Sequence, residues 1–553
     1  MVRTLLSFIF RSQAPAWECI YRGSASETMK RRGIGTEAVT LLVERACFPE
    51  QSSGVCIPTQ SMGTSALLRS LLVSVLLSLA SVSFADQSDF YRIVTLPTPE
   101  GLAFEVGGMD VLPDGRVVAA IRKGEVWVVD GAYDEPPKDI AFKRIANALH
   151  EPLGLMVDGD DLLTTQRAEV TRLRDLDGDD VIDAYLTVSD GWGITGNYHE
   201  YAYGPKRDGQ GRLWVTLNQT IGPAVVKQDA PWRGWGVVVD EATGDVIPMN
   251  AGMRSPCGLG ANVAGDMFYT DQQGNWVPAG SLHHLRKGVY YGHADSLKDM
   301  NRPGSPLKHP GTVPAKLLLP DAVKALPDFR LPAVWFPYRK MGMSATDIQC
   351  DQTGGKFGPF AGQLFVGDFT MAQVNRVFLE KVDGEYQGAC FPFVSGLQSA
   401  VVRMAWGKDG SMFVGETNRG WNSTGNTSYG FERLVWTGKT PFEILSMEAQ
   451  PDGFTVRFTK AVDDATALDL DSYVLSSYTY FLHQDYGCEE QETKTLAVES
   501  VTLGADKKSV RLVVPGLREG YVHELHAPGV KAENGETLWH GKAYYTLNKI
   551  PKE

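Results

Sequence analysis

His199, in the run NYHEYAYGP, and Arg254, in GMRSPCGLG, are the two side chains of this 553-residue chain best placed to do chemistry. Each stands immediately before an apolar stretch, where a loop hands over to a strand. An imidazole there suits a general base, because its ordinary pKa lies near neutrality. A guanidinium in the matching place of the next stretch suits an oxyanion or a carboxylate. The plain alternatives are an interior histidine satisfied by hydrogen bonds and an arginine bridging two neighbouring elements. Asp271 and Gln272 follow the strand-like MFYT, and Arg403 opens a later apolar stretch, so all three join as candidate cofactor contacts. Trp192, Tyr198 and Trp276 fall in the same loops, where an aromatic face could stack on a sugar ring. Trp232, Trp235 and Tyr203 read as packing. A separate acidic run, DLDGDDVID, sets Asp175, Asp177, Asp179 and Asp183 around a glycine turn. Such spacing could offer several oxygens to one calcium ion, although Gly178 comes early for an EF-hand and Leu186 stands where its last glutamate would be. An acidic surface turn is the equal alternative.

The elements that must position these residues are announced by a recurring pattern. Six copies of apolar run, Asp/Gly-rich turn and second apolar run begin at Gly108, Gly154, Tyr201, Gly258, Ser344 and Val401. GMDVLPDGRVVAAI and VVRMAWGKDGSMFVGETN show it most clearly, and most copies are followed by a third strand-like run. Asp-Gly between alternating apolar residues is a strong hairpin signal, because both residues tolerate a tight turn. Small antiparallel sheets repeated at roughly 40 to 60 residues predict an all-β, six-bladed propeller, here over residues 90–437. A propeller gathers its site on loops at one end of a central channel, which brings His199, Arg254 and Arg403 into one neighbourhood.

After Trp436 the run TGKTPFE reads as a linker, and FTVRFTKAV, SVRLVVPGL and YVHELHAPGV alternate with the period of half-buried strands. Residues 441–553 are therefore expected to form a small immunoglobulin-like or fibronectin-like β-sandwich. His523 and His526, three apart on one strand, point to opposite faces and read as surface histidines. At the other end, Met62 to Ala85 has the anatomy of a secretory signal peptide: Arg69, an apolar run from Leu71 to Val82, and small residues before Asp86. Residues 1–61 then read as an extension ahead of the true start, with a signal-anchor as the alternative. A cleaved leader implies a periplasmic or extracellular protein with no membrane span in its mature form. Of the seven cysteines, Cys257, Cys350, Cys390 and Cys488 lie beyond that leader. None forms a CxxC or CxxCH, which argues against a thiolate zinc site or an attached haem. A Cys350–Cys390 bridge is expected, with buried free thiols the alternative. The formal charge of −13 speaks against nucleic acid as partner.

With these residues in view, the stretch from Gly108 to Trp436 resembles the glucose/sorbosone dehydrogenases, soluble quinoprotein sugar dehydrogenases. His199 ahead of YAYGPKRDGQGRLWVT, the run Gly252, Arg254, Pro256, Gly258 and Leu259, and Asp271–Gly274 with Lys287–Gly292 carry the likeness. With its tail included, the chain is similar to the sorbosone or membrane-bound dehydrogenase subgroup of planctomycete-type bacteria. The resemblance implies oxidation of a sugar or sugar-derived alcohol by pyrroloquinoline quinone, with calcium at the cofactor's carboxylate edge and electrons passing to a separate carrier. His199 would take the hydroxyl proton while Arg254 polarises the quinone. The chain departs from the family pattern at Ser255, where asparagine is usual, and at Thr370 and Met371, where a lysine falls. It departs again at Ala400 and Val402, where paired arginines fall, leaving Arg403 one position away. A redox-free carbohydrate lyase or hydrolase using His199 and Arg254, and a propeller that only binds a glycan or protein, remain the other readings.

Overall fold

The computed structural model describes residues 86–552, and the expected leader and extension lie outside the described residues. The described chain is nearly all β, and most of it is arranged in four-stranded antiparallel sheets, as a β-propeller would be. The first sheet runs Val106–Val111, Val117–Ile121, Glu125–Asp130 and Ala141–Ala146, and the second runs Leu155–Asp158, Asp161–Thr165, Val170–Arg174 and Ala184–Ser189. The third contains Ala202–Arg207, Leu213–Leu217, Trp235–Val239 and Val246–Ala251. The fourth contains Gly258–Ala261, Met267–Asp271, Gly280–His284 and, after a long excursion, Val334–Phe336. Ala345–Cys350, Leu364–Asp368, Gln373–Val382 and Glu385–Ser395 begin the fifth. The last is built from Val401–Trp406, Met412–Thr417 and Tyr429–Trp436, and its outer strand is Tyr91–Thr95 from the start of the described chain. That strand pairs from Tyr91 opposite Trp436 to Thr95 opposite Glu432.

The first strands of these sheets touch one another in turn and return to the beginning, which makes a closed ring around an axis. Two aspartates on those strands help to fix the spacing. Asp110 Oδ2 accepts the amide of Val157 at 2.9 Å, and Asp347 Oδ2 accepts that of Met404 at 2.9 Å. The strands come so close that glycine is required at Gly154, where a Cβ would stand 1.5 Å from the Gly204 carbonyl oxygen. At the hairpins the Asp-Gly turns form as their sequence demands, with Gly115 at φ +98° and Gly410 at φ +88°.

The tail is joined to the ring more intimately than a linked domain would be. Glu385–Ser395 pairs on its outer edge with Lys542–Leu547, followed by Tyr521–His526, Val474–Thr479 and Gln491–Leu496, so the fifth sheet has eight strands. A second tail sheet, Ile444–Gln450, Gly453–Phe458, Ser509–Val513 and Ser500–Leu503, faces it across a core that includes Phe391, Phe454, Leu475 and Tyr545. The expected linker is exposed at Gly438 and Lys439 and becomes buried from Pro441 to Glu443. Phe442 fills the tail core, and the fully buried Arg376 donates to the Ile444 carbonyl at 2.6 Å and the Leu445 carbonyl at 3.0 Å. The excursion in the fourth sheet adds a further join, with Lys316–Leu318 pairing antiparallel to Phe481–His483 of the tail.

Two expectations about side chains are corrected. Cys350 and Cys390 are both buried and free, the second hydrogen-bonded to the Trp335 carbonyl at 3.4 Å, so no bridge joins them. His523 is fully buried inside the tail, and burial holds its imidazole down at about 3, while His526 on the other face is partly exposed.

Candidate active site at one end of the ring

In each sheet, the loop into the first strand and the loop between the second and third strands emerge at the same end. His199 and Arg254 lie on loops of the first kind, Arg167, Gln272 and Trp276 on loops of the second kind. Two consecutive residues at the end of Leu213–Leu217 tie the two candidate reacting groups together. The side-chain amide of Asn218 donates to the His199 carbonyl at 2.6 Å, and the backbone amide of Gln219 donates to the Arg254 carbonyl at 2.9 Å.

His199 is half-buried, with its backbone amide capped by Asn197 Oδ1 at 2.9 Å. Burial first, and then the positive charge of Arg254, hold its imidazole below the ordinary histidine value. It is therefore neutral near pH 7, the state a general base needs. Arg254 is held by its backbone: its own amide and that of Ser255 donate to the two oxygens of Asp271 at 2.9 and 2.7 Å. The guanidinium lies against Gly274, donates from Nη1 to Ser255 Oγ at 3.3 Å, and has a buried Nε without a partner. Burial lowers its pKa, and the charges of Tyr486 and Asp271 oppose that effect.

The remaining candidates divide. Asp271 is almost fully buried and also accepts the Gln272 amide at 2.9 Å, so both its oxygens are committed to backbone. Burial pushes its carboxyl up to about 6 against those hydrogen bonds. Gln272 is partly exposed beside it. Arg403 is 5 % exposed and turned into the channel, where it donates to the carbonyls of Val402 at 2.7 Å and Leu153 at 2.5 Å and approaches Cys257 Sγ at 3.6 Å. Met109, Gly154, Gly204 and Cys257 surround it there. Trp192, expected at the mouth, is instead 0 % exposed, its indole N–H donating to the Arg167 carbonyl at 3.0 Å. Trp276 is nearly buried, whereas Tyr198 is 47 % exposed with its ring edge-on to His199 at 5.4 Å.

Several residues join the site that the sequence did not single out. Arg167 donates to the Tyr198 carbonyl at 3.1 Å, lies 4.3 Å over the Tyr201 ring and pairs with Glu151. Arg122 pairs with the same carboxylate at 2.9 Å. Burial raises the Tyr198 phenol, but hydrogen bonds with Tyr201 and Arg122 outweigh it and leave the pKa below the ordinary value. His293, two per cent exposed, sits close enough to Arg254 to feel its charge, and burial holds it down at about 3. Tyr486, from the tail, lies 5.3 Å from the Arg254 guanidinium carbon. The sequence signals were slight: Arg167 ends one strand turn, His293 follows the KGVYYG run, and Tyr486 carried none.

The acidic turn lies at the other end of the second sheet, between Val170–Arg174 and Ala184–Ser189. Asp175, Asp177 and Asp183 bring oxygens within 4.8 Å of one another, and Asp179 is outside that group. Asp175 accepts the amides of Gly178 at 2.7 Å and Asp180 at 2.8 Å, Asp179 accepts that of Val181 at 2.8 Å, and Asp183 accepts that of Leu176 at 2.7 Å. No helix of the described residues is long and apolar enough to cross a membrane.

No protein-family model matches this sequence, and neither does any protein of curated function. Among solved structures, the chain is similar to a putative oxidoreductase (glucose dehydrogenase) from Thermus thermophilus. That match has 17 % identity and a TM-score of 0.45, covering 62 % of this chain and 100 % of that one. It is also similar to the PQQ-bound aldose sugar dehydrogenase of Streptomyces coelicolor, at 13 % identity and a TM-score of 0.43, over 63 % of this chain and 98 % of that one. The soluble aldose sugar dehydrogenase of Escherichia coli, in its apo form, matches at 13 % identity with a TM-score of 0.43, over 63 % and 100 %.

Proposed function

We propose that this chain is an exported carbohydrate oxidoreductase on a six-bladed propeller, carrying a sandwich-like tail, with His199 as general base and Arg254 as the holder of negative charge. The observation that carries the reading is the neutral imidazole of His199 tied, through Asn218 and Gln219, to the loop that presents a guanidinium whose Nε has no partner. His199 would take the proton of a sugar hydroxyl, a step worth about 10² to 10⁴ in rate. Arg254 would stabilise the oxygen left negative, a role that requires the charge to be fixed before the reaction begins. Tyr198 would offer the substrate its half-exposed ring.

The quinone clamp that the family resemblance implies does not fit the residues present. The Arg403 guanidinium is committed to the carbonyls of Leu153 and Val402, Asp271 is committed to three amides, and Thr370 bonds to Ser344 Oγ at 3.2 Å. No step is therefore assigned to that cofactor or to its calcium; as His199 takes the hydroxyl proton and the carbonyl forms, the carbon-bound hydrogen would leave as hydride to a separate two-electron acceptor, a diffusible quinone or dye. The same commitments favour a second reading, a redox-free elimination in which His199 removes a carbon-bound proton beside a carboxylate neutralised by Arg254.

Dye reduction by the purified mature protein on a panel of aldoses and uronates, with and without pyrroloquinoline quinone and calcium, separates the two. Sugar-dependent dye reduction that His199→Ala abolishes supports oxidation. An unsaturated product formed without any acceptor replaces it by elimination, and turnover that survives His199→Ala removes the assigned base.

A further inference from the structure

We propose that Arg254, Gly274 and Tyr486 form a subsite for the carboxylate of a uronate-type sugar, with the C-terminal segment supplying its wall; this rests on the reading of Arg254 as anion holder.

Three observations converge on it. The Arg254 guanidinium makes no ion pair among the described residues, although Asp271 lies beneath its loop. Its Nε is buried and unpartnered, and its one side-chain hydrogen bond is the 3.3 Å contact with Ser255 Oγ. Arg254 as a whole is partly buried, and a cation taken out of water without an ion-pair partner is costly, a cost that an anionic ligand relieves. Among the neighbouring titratable groups, Asp271 eases that cost only from beneath the loop, with its oxygens bound to backbone amides; His199 and His293 carry no negative charge, and Arg167, whose charge also reaches His199, is a second cation.

Gly274 makes room for the group. A Cβ there would meet Arg254 Nε at 1.9 Å and Cζ at 2.1 Å, so only glycine lets the guanidinium lie where it does against the loop.

Tyr486 supplies the wall. It is 49 % exposed, and its ring centroid is 5.3 Å from the guanidinium carbon. The segment that carries it is fastened down rather than draped. Tyr486 bridges Asn275 in antiparallel fashion, the Gly487 amide donates to the Gly274 carbonyl at 3.1 Å, and the Cys488 amide donates to the Pro278 carbonyl at 3.0 Å. The Trp276 amide in turn donates to the His483 carbonyl at 2.9 Å. An exposed phenol ring beside a cation is suited to one ligand class above others: a pyranose whose apolar face packs on the ring while its carboxylate reaches the guanidinium. A carboxylated quinone offers the same carboxylate, and the test must distinguish the two.

Calorimetric titration of D-glucuronate, D-glucose and pyrroloquinoline quinone into the mature protein reads binding without any need for turnover. D-Glucuronate should bind at least about tenfold more tightly than D-glucose, the size of one charge-assisted contact. Arg254→Gln should erase that preference. Tyr486→Ala should weaken D-glucuronate by about fivefold or more, and Tyr486→Phe should restore it, which a merely structural role for the phenol would not require. Equal affinity for the two sugars, absence of binding, an unaffected Tyr486→Ala with native thermal stability, or quinone binding that glucuronate does not displace would each overturn the subsite. His199→Ala should keep the binding. Glucuronate bound through Arg254 and Tyr486 by a protein without turnover leaves the subsite standing and the catalytic reading refuted. Turnover that depends on His199 without any glucuronate preference does the reverse.

Discussion

The guanidinium of Arg254 lies directly on the backbone of Gly274, closer than any other residue type at 274 would allow. Gly274→Ala is therefore a selective way to displace the charge. The variant should fold, because Gly274 lies in a loop, yet lose about tenfold to a hundredfold in kcat/KM through a misplaced guanidinium. Thermal denaturation alongside steady-state kinetics checks both parts.

His199→Ala should lower turnover by about 10² to 10⁴ with little change in substrate binding, since the lost group moves a proton rather than holding the ligand. Circular dichroism and kinetics on the same preparation give the answer. His199→Gln, which keeps a hydrogen-bonding side chain, should be equally inactive.

The acid limb of the pH profile should reflect a histidine whose pKa lies below its ordinary value, through burial and the charge of Arg254. Activity should persist below pH 6.5 and fall as the imidazole takes a proton. Arg254→Met removes the second of those causes and should move the limb upward, towards the usual value. A limb that stays where it was would show that the two groups do not interact.

Asp271 makes a stability prediction of definite sign. Its carboxyl is raised from 3.8 to about 6 by burial, so the native state binds more protons than the unfolded chain between those values. Stability from this group is present below pH 3.8 and is lost as the pH rises through about 6. Asp271→Asn is free of that loss. Between pH 4 and pH 7 its stability should improve relative to the parent by about 2 kcal/mol, as urea unfolding would read.

The acidic turn should prove structural and remote from catalysis. Asp175→Ala removes the acceptor for the amides of Gly178 and Asp180, so hydrogen exchange at both should accelerate while kcat/KM stays unchanged. Calcium-dependent protection of the same amides in the parent protein would show that Asp175, Asp177 and Asp183 hold the ion.

Much of the β architecture was legible because each repeat announces itself locally: Asp114-Gly115 and Asp409-Gly410 turn where their own backbone preferences require. The pre-strand positions of His199 and Arg254 were legible for the same reason. What the sequence hid was burial. Trp192 reads as an exposed loop aromatic until the Arg167 carbonyl is seen to claim its N–H, and Arg403 reads as a cofactor contact until its guanidinium is seen bound to the Leu153 and Val402 carbonyls. Tyr486 was beyond reach altogether. It lies more than two hundred residues from Arg254, and no local pattern records that Phe481–His483 pairs with Lys316–Leu318. The strand alternation of the tail was plain, whereas its register with Glu385–Ser395 depends on a long-range partner.

The shared eight-stranded sheet makes amputation hazardous. A protein cut at residue 440 would leave Glu385–Ser395 with a naked hydrogen-bonding margin, and Phe391, Arg376 and Cys390 would lose the cover that now keeps them dry. Such margins recruit other chains. The two halves have thereby become solubility partners, each shielding the other from self-association, and any attempt to express the ring by itself must first blunt that border.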